Sequence, residues 1–270
     1  MINGFQESTN GNGGQAIGFF NVDGNTNNVV EGNGGDGVIV NGPNSTGNTI
    51  GGATPAARNL IVYASNANTV QGNLIGTKGT TDLGNTQDGG RMTSSSNNVV
   101  TDNVVAFNGD ANHNDNGVEV FKSGTATPVG NRILNNSISS NQAPGIDLSL
   151  STGSVGPEQD LKDPDTGTNN LQNLPVITSA VSTGTTTTIS GTLNSKPRKT
   201  FTIQLFSSPL LTNEDKTYLG QVNVKTSRKG KASFSFFGTA VPQADEITAT
   251  ATGADGTSEL SDPVSVAPAS

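Results

Sequence analysis

The chain has 270 residues and is 31% hydrophobic, 4% aromatic and 13% charged, which excludes both a thick core of large side chains and disorder of the highly charged kind. A net charge of −8 and a pI near 4.5 argue against nucleic acid or an anionic membrane surface as partner. With no Cys and one His (His113), thiol chemistry, disulfides, Cys-type zinc sites and multi-histidine metal sites are excluded.

The opening Met1-Ile2-Asn3-Gly4-Phe5 is neither basic nor apolar, so the chain reads as a fragment or mature form begun inside a structured region. No window of about 18 apolar residues follows, so no membrane span is expected. Residues 1–150 hold 27 Asn, 25 Gly and 5 Lys+Arg, against 6, 10 and 9 in residues 151–270, which divides the chain into two parts. In the first part an Asn-x-Val/Ile unit recurs at Asn28, Asn48, Asn68, Asn98 and Asn131. A Gly-Val/Ile-x-Val/Leu unit recurs at Gly37, Gly117 and Gly145, the last two 28 residues apart. Each unit is too short for a helix and alternates as a strand does. Asn-Gly pairs between Asn3 and Gly117 supply tight turns, since both residues tolerate positive φ. Short strands returning every 20–33 residues predict a solenoid, with Val and Ile in apolar ladders inside and Asn in amide ladders at the corners. Stacked hairpins would explain the turns but not the spacing.

A polar segment, residues 153–174, joins this part (1–152) to the second (175–270). There Val176–Ser182, Thr186–Leu193, Thr200–Ser207, Tyr218–Lys225, Ala232–Phe237, Glu246–Thr252 and Val264–Val266 read as short strands punctuated by Gly, Pro, Asn and Asp. That pattern predicts an antiparallel sandwich. Phe201, Leu205, Leu219, Phe234, Phe236 and Val266 are its expected core. Phe234 and Phe236, two apart, share one face.

Asn48-Thr49-Ile50-Gly51-Gly52-Ala53-Thr54-Pro55, Asn68-Thr69-Val70-Gln71-Gly72-Asn73-Leu74-Ile75-Gly76 and Asp163-Pro164-Asp165-Thr166-Gly167, followed by Asn169-Asn170-Leu171-Gln172-Asn173, resemble bacterial right-handed parallel β-helix repeat proteins of pectin-lyase-like architecture. The resemblance implies an all-β chain: a right-handed parallel β-helix followed by an antiparallel Ig-like β-sandwich. It also implies a secreted or cell-surface location, mostly without assigned chemistry. Related families include pectate lyases, polygalacturonases, epimerases and phage tailspikes. The chain departs from the pattern after Ile61, where Val62-Tyr63-Ala64-Ser65-Asn66-Ala67 runs straight into the next Asn-Thr-Val, and one coil reads as shortened.

Aligning the Gly-led strands puts Asp36, Asp88 and Asn116 at one position, and Arg91, Glu119 and Asp147 at another. With Val118, Val120, Ile146 and Leu148 inward, Glu119 and Asp147 are expected outward on adjacent coils, backbones about 4.8 Å apart. Carboxylate pairs can do acid/base work on glycosides or bind Ca²⁺ that neutralises a uronate. The competing reading is a surface ion-pair row of little energetic weight. His113, between Asp110 and Asp115, is a candidate base, and Lys122 lies near enough to meet substrate. Tyr63 is a stacking platform for sugar in a chain that has no Trp. Asp160, Asp163 and Asp165 suit a hard cation such as Ca²⁺, against the plainer reading of Asx turns. No Gly-His-Gly, Arg-Ile-Lys, Ser-x-x-Lys, Gly-x-Ser-x-Gly or P-loop signature occurs. The sequence therefore leans toward a non-catalytic protein that binds polysaccharide, cell-surface glycan or another surface partner. A polysaccharide lyase, glycoside hydrolase or epimerase, and a structural spacer, are the alternatives.

Overall fold

The computed structural model describes residues 17–20, 38–41, 49–57, 61–63, 66–78, 81–82, 84–85, 87–109, 115–150, 159–209 and 217–269. The described residues are all-β, with one short 3₁₀ turn at Thr168–Leu171 and no α-helix.

In the first part every long-range strand pair is parallel. One sheet stacks Ile17–Phe20, Val38–Asn41, Ile61–Tyr63, Gly90–Thr93, Val118–Lys122 and Ile146–Leu150 in chain order. A second stack runs Thr69–Ile75, Val99–Thr101 and Arg132–Leu134, with Thr49–Ala57 on its other edge. The far half of Thr69–Ile75 begins a third row, continued by Val104–Ala106 and Ser137–Ser139. The strand Ile61–Tyr63 pairs with the strands on both sides, Ile39↔Ile61 and Val62↔Met92. The coil expected to be shortened therefore lacks no rung of this sheet: Ile61-Val62-Tyr63 is itself the strand, without the leading glycine.

Register explains the core. Val70, Val100 and Ile133 fall in line; so do Val105 and Ile138 with Ile75, and Met92, Val120 and Leu148. All are buried in one apolar cluster. Burying such side chains is worth about 1.5–3 kcal/mol each.

Polar ladders close the corners. Asn98 Oδ1 accepts from both the backbone N and the Nδ2 of Asn68, at 2.9 and 3.3 Å, and Asn131 Oδ1 does the same for Asn98 at 3.1 Å each. Asn73, Asn103 and Asn136 repeat the arrangement, as do Asn85, Asn108 and Asn141. The reason is local. The residue before every one of these Asn except Asn85 is left-handed: Ala67, Asn97 and Gly130 in the first ladder; Gly72, Asp102 and Asn135 in the second; Phe107 and Ser140 in the third. That conformation turns the chain and aims the next side chain along the stack, at a cost of about 1–2 kcal/mol for a residue with a Cβ. The paired amide offsets it, because a buried amide with its donors and acceptor filled avoids the desolvation penalty.

The second part is two sheets packed face to face. One orders Lys231–Thr239, Thr186–Asn194, Val176–Ser182 and Ala267–Pro268; the other orders Thr217–Lys225, Thr200–Ser208, Glu246–Gly253 and Gly256–Thr257. The main pairs are antiparallel, whereas Ala267–Pro268 runs parallel to its neighbour. Phe201, Leu205, Phe234 and Val266 are buried between them, and Leu219 and Phe236 pack partly buried against that core.

The second part caps the first. Asn169 Oδ1 accepts from Asn131 N at 3.1 Å, so the segment between the parts supplies the next rung of the first Asn ladder. Asn169, Asn170 and Leu171 are all left-handed, a single turn held by burial of Asn169 and Leu171. Gly256, at φ 121, is pressed so close to Asn169 that a Cβ there would meet its side chain at 2.3 Å. Thr257 Oγ1 accepts from Ile133 N at 2.9 Å, and Leu260 packs on the stack's apolar core. The open edge of the last coil, a row of unpaired backbone groups, is thereby covered.

Candidate functional site

Strand register alone brings Arg91, Glu119 and Asp147 together: Glu119 pairs with Arg91 on one side and Asp147 on the other. Arg91 Nε lies 2.8 Å from Glu119 Oε2. The guanidinium stacks on Phe121, Cζ 4.2 Å from the ring centroid, a cation–π contact that holds the fork flat against the sheet. Ser149 Oγ donates a short hydrogen bond to Glu119 Oε1.

Glu119 is on the face opposite Val118 and Val120, but it is not outward in the sense of being open to water. It is 7% exposed, because Arg91 from the coil before and Ser149 from the coil after close over it. The expected pair of outward carboxylates is corrected accordingly: Asp147 is half-buried and Glu119 is buried.

Further acids extend the row. Asp88, 3% exposed, accepts from Asn116 N at 2.7 Å and shares a hydrogen bond with Glu119. Burial, then the charge of Glu119, pushes the Asp88 carboxyl up to about 8. Asn116 Nδ2 donates to Asp147 Oδ2 at 3.2 Å. Asp147 is raised by burial and by Glu119, and it hydrogen-bonds Glu259, which arrives from the capping segment. Glu259 accepts from Leu148 N at 2.9 Å and is pushed up to about 7, by burial first and Asp147 second. Asp88, Glu119, Asp147 and Glu259 thus form a chain of carboxyls around one guanidinium. Sharing protons relieves the repulsion of such closely spaced acids. Chemically the row offers a carboxyl that keeps its proton at neutral pH, Asp88, beside an acid committed to an ion pair.

The other expected site residues are not gathered there. Lys122 has the strand parity of Val118 and Val120, so alternation sets it off the Glu119 face, and Phe121 takes the place expected for it. Tyr63 is in register with Thr93, two positions along from the Arg91 level. His113 lies outside the described residues. Asp160, Asp163 and Asp165 do converge, each with a carboxylate oxygen within 4.8 Å of the others, in the segment between the two parts. A cleft of about 170 Å³ between Leu174–Ile177 and Asp262–Val264 shares no residue with the Glu119 row.

Sequence reasoning assigned no role to Asp88, Ser149 or Glu259. Asp88 carried a usable signal, lying 28 residues before Asn116 just as Arg91 precedes Glu119. Glu259, 111 residues from Leu148, carried none.

These features define an all-β protein of stacked parallel strands capped by a two-sheet unit. No protein-family model matches the sequence. No curated protein matches it either. Among solved structures it is similar to tailspike protein 2 from Escherichia coli O157:H7 bacteriophage CAB120, at 11% identity and a TM-score of 0.26, over 88% of this chain and 47% of that one. The enzymatically active domain of bacteriophage CBA120 tailspike protein 2 is similar at 10% identity and a TM-score of 0.25, over 87% and 52%. The chain therefore spans about half the length of these proteins, and superpositions this loose carry no argument about activity. No helix among the described residues is long and apolar enough to cross a membrane.

Proposed function

We propose that the chain is a non-catalytic, extracellular or cell-surface module in which a right-handed parallel β-helix (1–152) leads through residues 153–174 into an Ig-like sandwich (175–270), and that it binds polysaccharide or another extended surface partner along its stacked strands. One observation carries the non-catalytic reading: Glu119, at the centre of the row, is 7% exposed with both carboxylate oxygens already engaged. A general acid or base must reach the proton it transfers. The extended ligand is supported by the repeat, since side chains recurring about 4.8 Å apart along an axis suit a polymer better than a compact molecule. Gln71 Nε2 to Asp102 Oδ2 at 3.1 Å shows such side chains linking one coil to the next on an exposed face.

Binding to acidic and neutral polysaccharides on a glycan array, run beside an assay for new reducing or unsaturated ends, tests this reading. Binding without turnover is the expected result. A second reading, a polysaccharide lyase, hydrolase or epimerase, draws on Asp147, the half-buried carboxyl in register with Glu119. Turnover that disappears in both Asp147→Asn and Glu119→Gln would replace the first reading with the second. Silence in both assays favours a structural spacer.

A further inference from the structure

Between the two parts lies a cluster of oxygen atoms that hydrogen bonding within the chain does not use up. Asp163 is 1% exposed; its Oδ2 accepts from Ser195 Oγ at 2.6 Å, while its Oδ1 receives no hydrogen bond from the protein. Asp160 Oδ1 is buried in the same condition. Two buried amides present their oxygens rather than their nitrogens. Asn173, fully buried, spends Nδ2 on the carbonyls of Asp160 and Asn194, at 2.9 and 2.8 Å, and those two acceptors fix which end of the amide is nitrogen. Its Oδ1 is left with no donor, while its backbone N–H bonds the Asp163 carboxylate. Gln172, 1% exposed, likewise gives Nε2 to Ser195 Oγ and Asn173 O, and leaves Oε1 without a donor. Lys196, the cation closest in effect to Asp163, is held by Asp255 at 2.7 Å.

Buried acceptors in native proteins are normally satisfied, and several orphaned together need a common partner that is itself positive. We infer that Asp160, Asp163, Asp165 and Asn173 bind a calcium ion. The three carboxylate oxygens spread no wider than opposite ligands of one Ca²⁺, about 4.6–5.2 Å at its usual bond lengths. Carboxylates and amide oxygens without nitrogen or sulfur select a hard cation, and a largely dehydrated protein cage selects Ca²⁺ over Mg²⁺. The ion fixes the start of the segment whose Asn169 enters the ladder, and through Asn173 and Ser195 it ties that segment to the sandwich.

The full-length chain, stripped with a chelator, is titrated calorimetrically with CaCl₂ and melted with and without it. The expected result is a single ion bound with a Kd between about 10⁻⁷ and 10⁻³ M, an upward shift in Tm, and no displacement by excess Mg²⁺. Because Asp163→Asn is buried, the test uses Asp160→Asn and Asp165→Asn, singly and together, with circular dichroism to verify folding. At least tenfold weaker binding in either folded single variant supports the site. Absence of heat and of any Tm shift through the millimolar range overturns it. So does wild-type affinity in both single variants, or loss of binding in Glu119→Gln, which would put the ion in the other acidic cluster.

Discussion

The two parts of the molecule bury polar groups in opposite ways. The sandwich packs Ile189, Ile203, Leu205 and Ile247, each fully buried among hydrophobic neighbours, and its buried hydroxyls, such as Thr187 and Ser258, bond backbone groups without forming a ladder. The strand stack has a thinner apolar interior and adds Asn68, Asn98, Asn131 and Asn169, also fully buried, each amide bonded along the axis. A sandwich core tolerates changes of side chain if volume is conserved. A ladder does not, because every rung is both donor and acceptor to its neighbours. A chain with only 31% hydrophobic residues can be ordered because the stack makes buried hydrogen bonds repeat.

The sharpest way to break this contrast is Asn98→Leu. It supplies apolar volume but takes from Asn68 N its bond to Asn98 Oδ1, and removes one of the two bonds made by Asn68 Nδ2 and one of the two made by Asn131 Oδ1. We expect a loss of about 3–5 kcal/mol in denaturant unfolding. A loss below that of a sandwich truncation would sink the idea of a polar spine. That truncation, Leu205→Ala, is expected to cost about 2–5 kcal/mol, toward the middle of the range, through the cavity it leaves.

The pH dependence of stability comes next. The folded chain holds the Asp88 proton up to about pH 8 and the Glu259 proton up to about 7, against ordinary values of 3.8 and 4.5. Between those limits the native state binds more protons than the unfolded one, so stability falls as pH rises from about 4 to 8 and then levels off. The drop is read from denaturant midpoints, and Asp88→Asn is expected to flatten most of it. A stability that instead climbs across this range would refute the shared-proton arrangement. The smallest effect is that of Glu259→Gln. The amide oxygen still accepts from Leu148 N, so the cap stays in place at a cost of under about 1 kcal/mol, and the pH slope is lessened only between about 4.5 and 7.

Much of the arrangement was legible in the residues. The 28-residue spacing of Gly117 and Gly145 sets Glu119 against Asp147, and the Asn-x-Val/Ile units mark the ladder rungs at Asn68, Asn98 and Asn131. The strands of the second part fall where alternation and turn residues put them, Val176–Ser182 among them. Burial of Glu119 was not legible. Alternation gives the face of a side chain but not what closes over it, and here that is Arg91 on one side and Ser149 on the other. Lys122 lies off the Glu119 face, because it shares the strand parity of Val118 and Val120.

What the sequence determined by itself is whatever repeats, because a period fixes which residues become axial neighbours once strands stack in parallel. Tertiary structure alone decided how the stack ends. Asn169 as a fourth rung, Thr257 on Ile133 and Glu259 beside Asp147 join residues 38, 124 and 111 or more positions apart, with no period to announce them. Such contacts exist because the last coil's unpaired edge and the sandwich's outer sheet complete each other, and that fit appears only when both surfaces have formed.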